Sequence, residues 1–204
     1  MRTKTRDTSE YGFHYISGLM RMKAKRNMAN IGRKTAVEEQ NMQQFISDST
    51  WAGRELIAAL QLEIGFREEF SEGSAFLIDE SANEKAGAHS AGAGRQYNGR
   101  LGKVEMSQVG VFLGLVNKGY HTWYDGELFI PEDWFSEAYT AKRKRVGIPE
   151  NRTFKTKLEL ALAMVKIAKE KGSPVKVVDC DKLYGRSGWL RDEFALLDRE
   201  YYAE

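Results

Sequence analysis

The sequence predicts a mixed α/β fold, a sheet flanked by helices, preceded by an all-helical N-terminal region. Three observations predict it. Apolar β-type runs at 74–79, 104–116, 120–130 and 175–179 are interleaved with a strongly capped helical segment at 155–171. The first 72 residues instead carry helical spacing, and no proline precedes Pro131. Two of the apolar runs end in carboxylates: Asp79 follows Ala75-Phe76-Leu77-Ile78, and Asp179 and Asp181 follow Val175-Lys176-Val177-Val178. Sheets covered by helices bind their ligands at such carboxyl ends.

Within the first region, 12–31 places Phe13, Ile16, Leu19, Met20, Met28 and Ile31 at helical spacing among basic residues. Residues 35–46 make a short amphipathic segment closing on Met42, Phe45 and Ile46. Asp48-Ser49-Thr50 offers N-cap oxygens to a helix that starts near Trp51 and ends at Gly65, with Trp51, Leu56, Ile57, Leu60 and Ile64 largely on one side. After Ser71-Glu72-Gly73 the period changes to that of a strand. Residues 82–103, rich in Gly, Ala and Ser, read as a loop. The run 104–116 reads as a buried strand, and the alternating run 120–130 pairs with it as a hairpin across Asn117-Lys118-Gly119. Pro131 ends that strand. In 155–171, Thr156 and Glu159 form a capping box, Gly172 and Pro174 mark the stop, and Leu158, Leu162, Val165 and Ala168 form the inner stripe. Residues 175–179 are a further strand, and 187–202 a further helix with Trp189, Leu190, Phe194 and Leu197 inward.

The 204 residues, 42% hydrophobic and 29% charged, have the composition of a globular protein with one sizeable core, or a small domain and a larger one. No apolar run approaches the roughly 18 residues of a membrane span. The basic start, Met1 to Arg6, is followed by no apolar stretch of signal-peptide type. A single cysteine, Cys180, excludes a disulfide framework or a cysteine zinc site within the chain. A cytoplasmic setting is therefore expected. The net charge of +2 demands no polyanion partner, but nine Lys and Arg fall in residues 1–34, Lys23, Lys25 and Arg26 among them, against Asp7 and Glu10. A second block is Lys142-Arg143-Lys144-Arg145. Such blocks either contact phosphates or are solvated faces.

A strand-end carboxylate is costly to bury unless it is paired or binds a metal. Asp179 and Asp181, two apart, face the same side of an extended strand, and either can join Asp79 at a divalent ion. A turn or N-cap aspartate explains each of them as well. His14, His89 and His121 lack metal-ligand spacing. His89 shares the glycine-rich loop with the cations Lys85, Arg95, Arg100 and Lys103, but the glycines match no phosphate-loop or dinucleotide pattern.

Longer motifs surround these positions. Phe76-Leu77-Ile78-Asp79-Glu80-Ser81 is followed by Lys85-Ala86-Gly87-Ala88-His89-Ser90-Ala91-Gly92, Arg95-Gln96-Tyr97-Asn98-Gly99, Gly102-Lys103 and Gln108-Val109. Then come Glu127-Leu128-Phe129-Ile130-Pro131-Glu132-Asp133-Trp134, Gly147-Ile148-Pro149 and Asp181-Lys182-Leu183-Tyr184-Gly185. In this order they resemble insertion-sequence transposases with a DDE superfamily endonuclease domain, from about residue 15 to 202. The resemblance implies a helical, DNA-binding region over 1–72 and a ribonuclease-H-like catalytic domain over 73–204. It makes Asp79 and Asp181, rather than Asp179, the first two catalytic carboxylates and ligands of Mg2+ or Mn2+. One metal would activate the attacking water or 3′-hydroxyl, and the other would stabilise the leaving oxygen. It also implies double-stranded transposon-end DNA as partner, with Lys23, Lys25, Arg26, Lys85, Arg95, Arg100 and Lys103 as candidate contacts. The family's third carboxylate, a glutamate on a later helix, has no counterpart here; Glu193, Glu200 and Glu204 are poor substitutes. A truncated or split form with an incomplete sheet is therefore expected, working as a homo-oligomer or with a complementing C-terminal fragment. The alternative is a catalytically inactive DNA-binding remnant.

Overall fold

The computed structural model describes residues 7–48 and 52–203. They gather into two compact units that divide between Gly53 and Arg54. The proposed N-cap oxygens of Ser49 and Thr50, the ring of Trp51, the first basic residues and Glu204 lie outside the described residues.

The first unit is three helices: α1 (Ser9–Arg21), α2 (Met28–Thr35) and α3 (Glu39–Asp48). Ile31, Met42 and Phe45 are its core, with Tyr11, Tyr15 and Leu19 packed against them. The helical spacing over 12–31 is divided between two helices: α1 stops at Arg21, and α2 starts where Asn27 caps it, its Oδ1 accepting from Asn30 N at 2.9 Å. Phe13, Ile16 and Met20 point outward, at 70, 58 and 81% exposure, since α1 buries the Tyr11, Tyr15 and Leu19 stripe instead. Gly18 sits where a Cβ would come within 2.6 Å of Ile31 Cγ2, so α1 and α2 meet at a glycine.

The second unit takes in α4 (Gly53–Gly65) from Arg54 on and is built on a six-stranded sheet of β1 (Ala75–Glu84), β2 (Gly94–Asn98), β3 (Lys103–Asn117), β4 (Tyr120–Phe129), β5 (Val177–Cys180) and β6 (Glu200–Ala203). The order is β3-β1-β5-β6, with β2 and β4 both paired to β3 over different stretches. β3 runs antiparallel to β1, β2 and β4, whereas β5 is parallel to β1 and β6 parallel to β5. The four antiparallel strands β1 to β4, extended by β5 and β6 in parallel, form the mixed sheet flanked by helices that the sequence predicts. Between β4 and β6 lie the helices α5 (Thr140–Arg145), α6 (Lys157–Glu170), α7 (Lys182–Gly185) and α8 (Gly188–Leu196). No helix among the described residues is long and apolar enough to cross a membrane.

Alternation assigns the two faces of the sheet. Phe76 and Ile78 of β1, Val111, Leu113 and Leu115 of β3, and Val178 and Cys180 of β5 form one buried layer with α6 (Leu160, Ala161, Met164, Val165) and α8 (Leu190, Phe194). The hairpin read across Asn117-Lys118-Gly119 is present, with Asn117 opposite Tyr120 and Lys118 left-handed at φ 53°. Two readings are corrected. The glycine-rich stretch 82–103 is not all loop: β1 runs on to Glu84, and 94–98 is β2, held by Gln96 Nε2 donating to Ser107 O at 3.0 Å and Asn98 Nδ2 to Ser107 Oγ at 3.1 Å. The last helix ends at Leu196 rather than 202, because Asp198 turns left-handed at φ 56° and the chain re-enters the sheet as β6, Glu200 N donating to Lys176 O at 2.7 Å.

The capping box of α6 is complete: Glu159 N donates to Thr156 Oγ1 at 3.2 Å, and Thr156 N to Glu159 Oε2 at 2.7 Å. Thr156→Ala should lower stability by about 1 kcal/mol in urea unfolding. The backbone N–H of Thr156, and then its hydroxyl, hold the Glu159 carboxyl below its ordinary 4.5. A depressed carboxylate stabilises the fold above the unfolded value and stops doing so as pH falls through the folded one. The stability gap between the wild type and Glu159→Gln should therefore be full above pH 4.5 and close below it.

Candidate active site

The parallel pairing of β1 with β5 ends at Ile78 opposite Cys180. Asp79, the next residue of β1, and Asp181, the first residue after β5, follow that last pair, so the pairing brings them to the same step of the sheet. Asp181 keeps an extended backbone (φ −77°, ψ 178°) while serving as N-cap of α7. Its Oδ1 accepts from Leu183 N at 2.9 Å and Tyr184 N at 3.5 Å. Asp79 Oδ1 accepts from Glu80 N at 2.7 Å. The second oxygen of each carboxylate makes no protein hydrogen bond, both side chains are exposed, and among the described residues no Lys or Arg pairs with either. The N-cap role and the carboxylate-at-the-edge role of Asp181 thus coexist, one on each oxygen. Asp179 lies opposite Leu77, on the face that Asp79 shares with Phe112.

Hard carboxylate oxygens without a counter-cation fit a divalent ion. Among the described residues, however, no three His, Cys, Asp or Glu side chains gather closely enough to hold one. Glu193 is occupied by Lys166 Nζ at 2.8 Å, and Glu200 lies on β6 opposite Val177. Glu80 points to the other face of β1 and pairs with Lys157 Nζ at 2.5 Å. Beneath the site, the fully buried Tyr184 hydroxyl has no hydrogen-bond partner among the described residues. Burial, reinforced by the charges of Glu80, Asp181 and Asp79, raises its pKa far above the usual phenol value.

The candidate cations separate. Lys23, Lys25 and Arg26 are exposed in the link between α1 and α2, where Arg26 Nε donates to Met22 O at 2.9 Å. Arg95 stands opposite Met106, on the face of the sheet that carries Asp79. Lys103 is on the reverse face, paired with Glu105 at 3.1 Å. Arg100 is exposed in the turn after β2, and Lys85 is half-buried, its N–H donating to Met106 O at 2.9 Å. The block at 142–145 is partly structural: Lys142 Nζ lies 4.2 Å from the Trp134 ring centroid, and Arg143 Nη1 donates to Trp134 O at 2.5 Å. Of the histidines, His14 sits 3.7 Å from Glu10, and His89 Nδ1 is 3.4 Å from Arg145 Nη2.

Sequence reasoning missed the support of β4. Its outer edge is covered by α4, whose Gln61 Nε2 donates to Tyr124 O at 3.1 Å and whose Arg54 Nη1 reaches Gly126 O at 3.3 Å. Arg54 also holds the fully buried carboxylate of Asp125 at 2.8 and 3.1 Å. Tyr124 is the extra residue of a β-bulge, and it shifts the alternation so that Asp125 turns inward opposite Leu113. The only sequence signal was a charge inside an apolar strand.

The family model described as DDE superfamily endonuclease matches residues 2–204. The chain belongs to that family. Among relatives of this DDE endonuclease chain, a probable transposase for insertion sequence element IS701 from Microchaete diplosiphon is 26% identical over 155 residues, covering 74% of this chain and 36% of the relative. The chain therefore spans about a third of that protein's length. Two solved structures are also similar. The Mos1 transposase paired-end complex with left transposon end has 12% identity and a TM-score of 0.32 over 98% of this chain and 59% of that one. A pre-cleavage Mos1 transpososome has 9% identity and a TM-score of 0.21.

Removing Arg54 would leave Asp125 buried without its charge partner. Arg54→Met should cost about 2–3 kcal/mol in thermal or urea unfolding, less than a fully buried pair because Arg54 is half exposed. The double variant Arg54→Met/Asp125→Asn should recover part of that loss.

Proposed function

We propose that this DDE endonuclease chain is the catalytic-core portion of an insertion-sequence transposase, acting on double-stranded transposon-end DNA through Asp79 and Asp181. The observation that carries the reading is the shared step of the two carboxylates beyond Ile78 and Cys180, each anchored through Oδ1 with Oδ2 left open. Asp79 and Asp181 would hold Mg2+ or Mn2+, which when bound activates the attacking oxygen and stabilises the leaving one. The work of the chain is positional: the two strands hold the carboxylates in register, and the N–H groups of Glu80, Leu183 and Tyr184 fix their orientation. Two carboxylates form an incomplete ligand set, and no third joins them among the described residues. A third acid would come from a complementing fragment or from another protomer. The basic link at Lys23, Lys25 and Arg26, together with Arg95, Lys85, Arg100 and Lys103, would supply phosphate contacts.

A second reading, an inactive remnant that still binds DNA, is favoured by the same missing acid. The two readings separate on plasmid nicking with Mn2+ or Mg2+. The transposase reading expects metal-dependent nicking that falls to background in Asp79→Ala and Asp181→Ala, survives in Asp179→Ala, and rises when the rest of the family's catalytic domain is added in trans. Nicking that persists in both variants removes these residues from the chemistry. Salt-sensitive duplex binding with no nicking, even after complementation, selects the remnant.

A further inference from the structure

Beside Asp79 the sheet carries a second site that the metal chemistry does not use. Phe112 is Asp79's register partner on β3, and Gly126 faces Phe112 from β4. The Phe112 ring folds over two glycines: a Cβ at Gly110 or at Gly126 would lie 2.8 Å from it. Trp123, 60% exposed, leans on that ring with centroids 4.8 Å apart. A groove of about 500 Å³ opens here, within the roughly 300–1,000 Å³ of small-ligand sites. The walls are Phe112, Trp123 and Ile57, and the polar rim is Ser81, Asn83 and Gln108. Gln108 uses an amide N–H on Ala91 O at 2.7 Å, and among the described residues its carbonyl and the Asn83 amide have no partner. Among the described residues no lysine or arginine lines the groove; Asp125 and Glu127 do, and both carboxylates are already paired, Asp125 with Arg54 and Glu127 with Arg54 and Arg152.

A flat aromatic floor, amide groups with donor and acceptor capacity left over, and no unpaired charge match the chemistry of a nucleobase with its pairing edge free. Further along the same face, Arg95 opposite Met106 and the exposed Tyr97 opposite Val104 offer a phosphate contact and another ring to the same strand. We propose that this groove binds one unpaired nucleobase of the DNA strand whose phosphate meets Asp79 and Asp181. The proposal rests on DNA being the substrate and names the form in which it is held: a base out of the stack next to the scissile phosphate.

The test uses the full chain in EDTA, so that cleavage plays no part. Its affinity is measured for a fully paired duplex and for the same duplex carrying one unpaired 2-aminopurine. The unpaired form should bind roughly 5- to 100-fold tighter, the range of one base–aromatic stack, with 2-aminopurine fluorescence quenched on binding. Trp123→Ala, at an exposed position, should bring the ratio of the two affinities close to one, and Asn83→Ala should reduce it. Equal affinities in the wild type, or a preference that survives Trp123→Ala, overturn the proposal while leaving the DNA reading intact. Absence of binding to either duplex overturns both.

Discussion

The parallel pairing of β1 with β5 is the constraint on which the site depends. Four register pairs, Ala75 with Val177 through Ile78 with Cys180, are short for a parallel ladder, and hydrogen bonds alone would hold them weakly. The register is enforced from the buried side. Phe76, Ile78, Val178 and Cys180 interlock with α6 and α8 there, and a slip of one residue would turn all four toward solvent. Because strands alternate, what is buried on one face dictates what is presented on the other. Leu77, Asp79 and Asp179 are outward because Phe76, Ile78 and Cys180 are inward. The carboxylates are therefore positioned by hydrophobic packing, with no residue of the site needing to attract another. That matters for two like charges at one step of a sheet, whose mutual repulsion opposes the arrangement until a cation arrives.

The other side of β1 depends on a different device. β3 pairs with β1 along one edge and with β4 along the next, and β4 would present a bare edge if α4 did not cover it. Arg54 and Gln61 reach β4 carbonyl groups, and the Tyr124 bulge turns Asp125 into the grip of Arg54. The bulge also sets Trp123 and Gly126 on the Asp79 face, where they flank Phe112. One inserted residue thus anchors a helix on one side and shapes the aromatic groove on the other.

Much of the architecture was legible because it rests on local signals. The box of Thr156 and Glu159, the turn at Lys118 and Gly119, and the apolar runs of β3 and β5 each carry their own chemistry. Asp181 was legible as a carboxylate at the end of a strand, whereas Asp79, read the same way, lies mid-strand because β1 runs on to Glu84. What was hidden is set by tertiary partners. Gly94 to Asn98 lacks the apolar alternation of a strand because Gln96 and Asn98 satisfy Ser107 rather than fill a core. Phe13, Ile16 and Met20 have helical spacing, yet Tyr11, Tyr15 and Leu19 face inward, a choice between two stripes that spacing cannot make. The inward turn of Asp125 comes from a bulge, which shifts strand phase without any mark in composition.

The central claim is that Asp79 and Asp181 form one cation-attracting pair. Titration of the 15N-labelled chain with substoichiometric Mn2+, followed by paramagnetic broadening of its amide signals, tests it most directly. The account predicts that the amides of residues 79–80 and 181–184 broaden together along one binding curve, and that Asp79→Asn or Asp181→Asn abolishes the broadening at both segments. Broadening confined to one segment, or unchanged at Asp181 when Asp79 is neutralised, would contradict it.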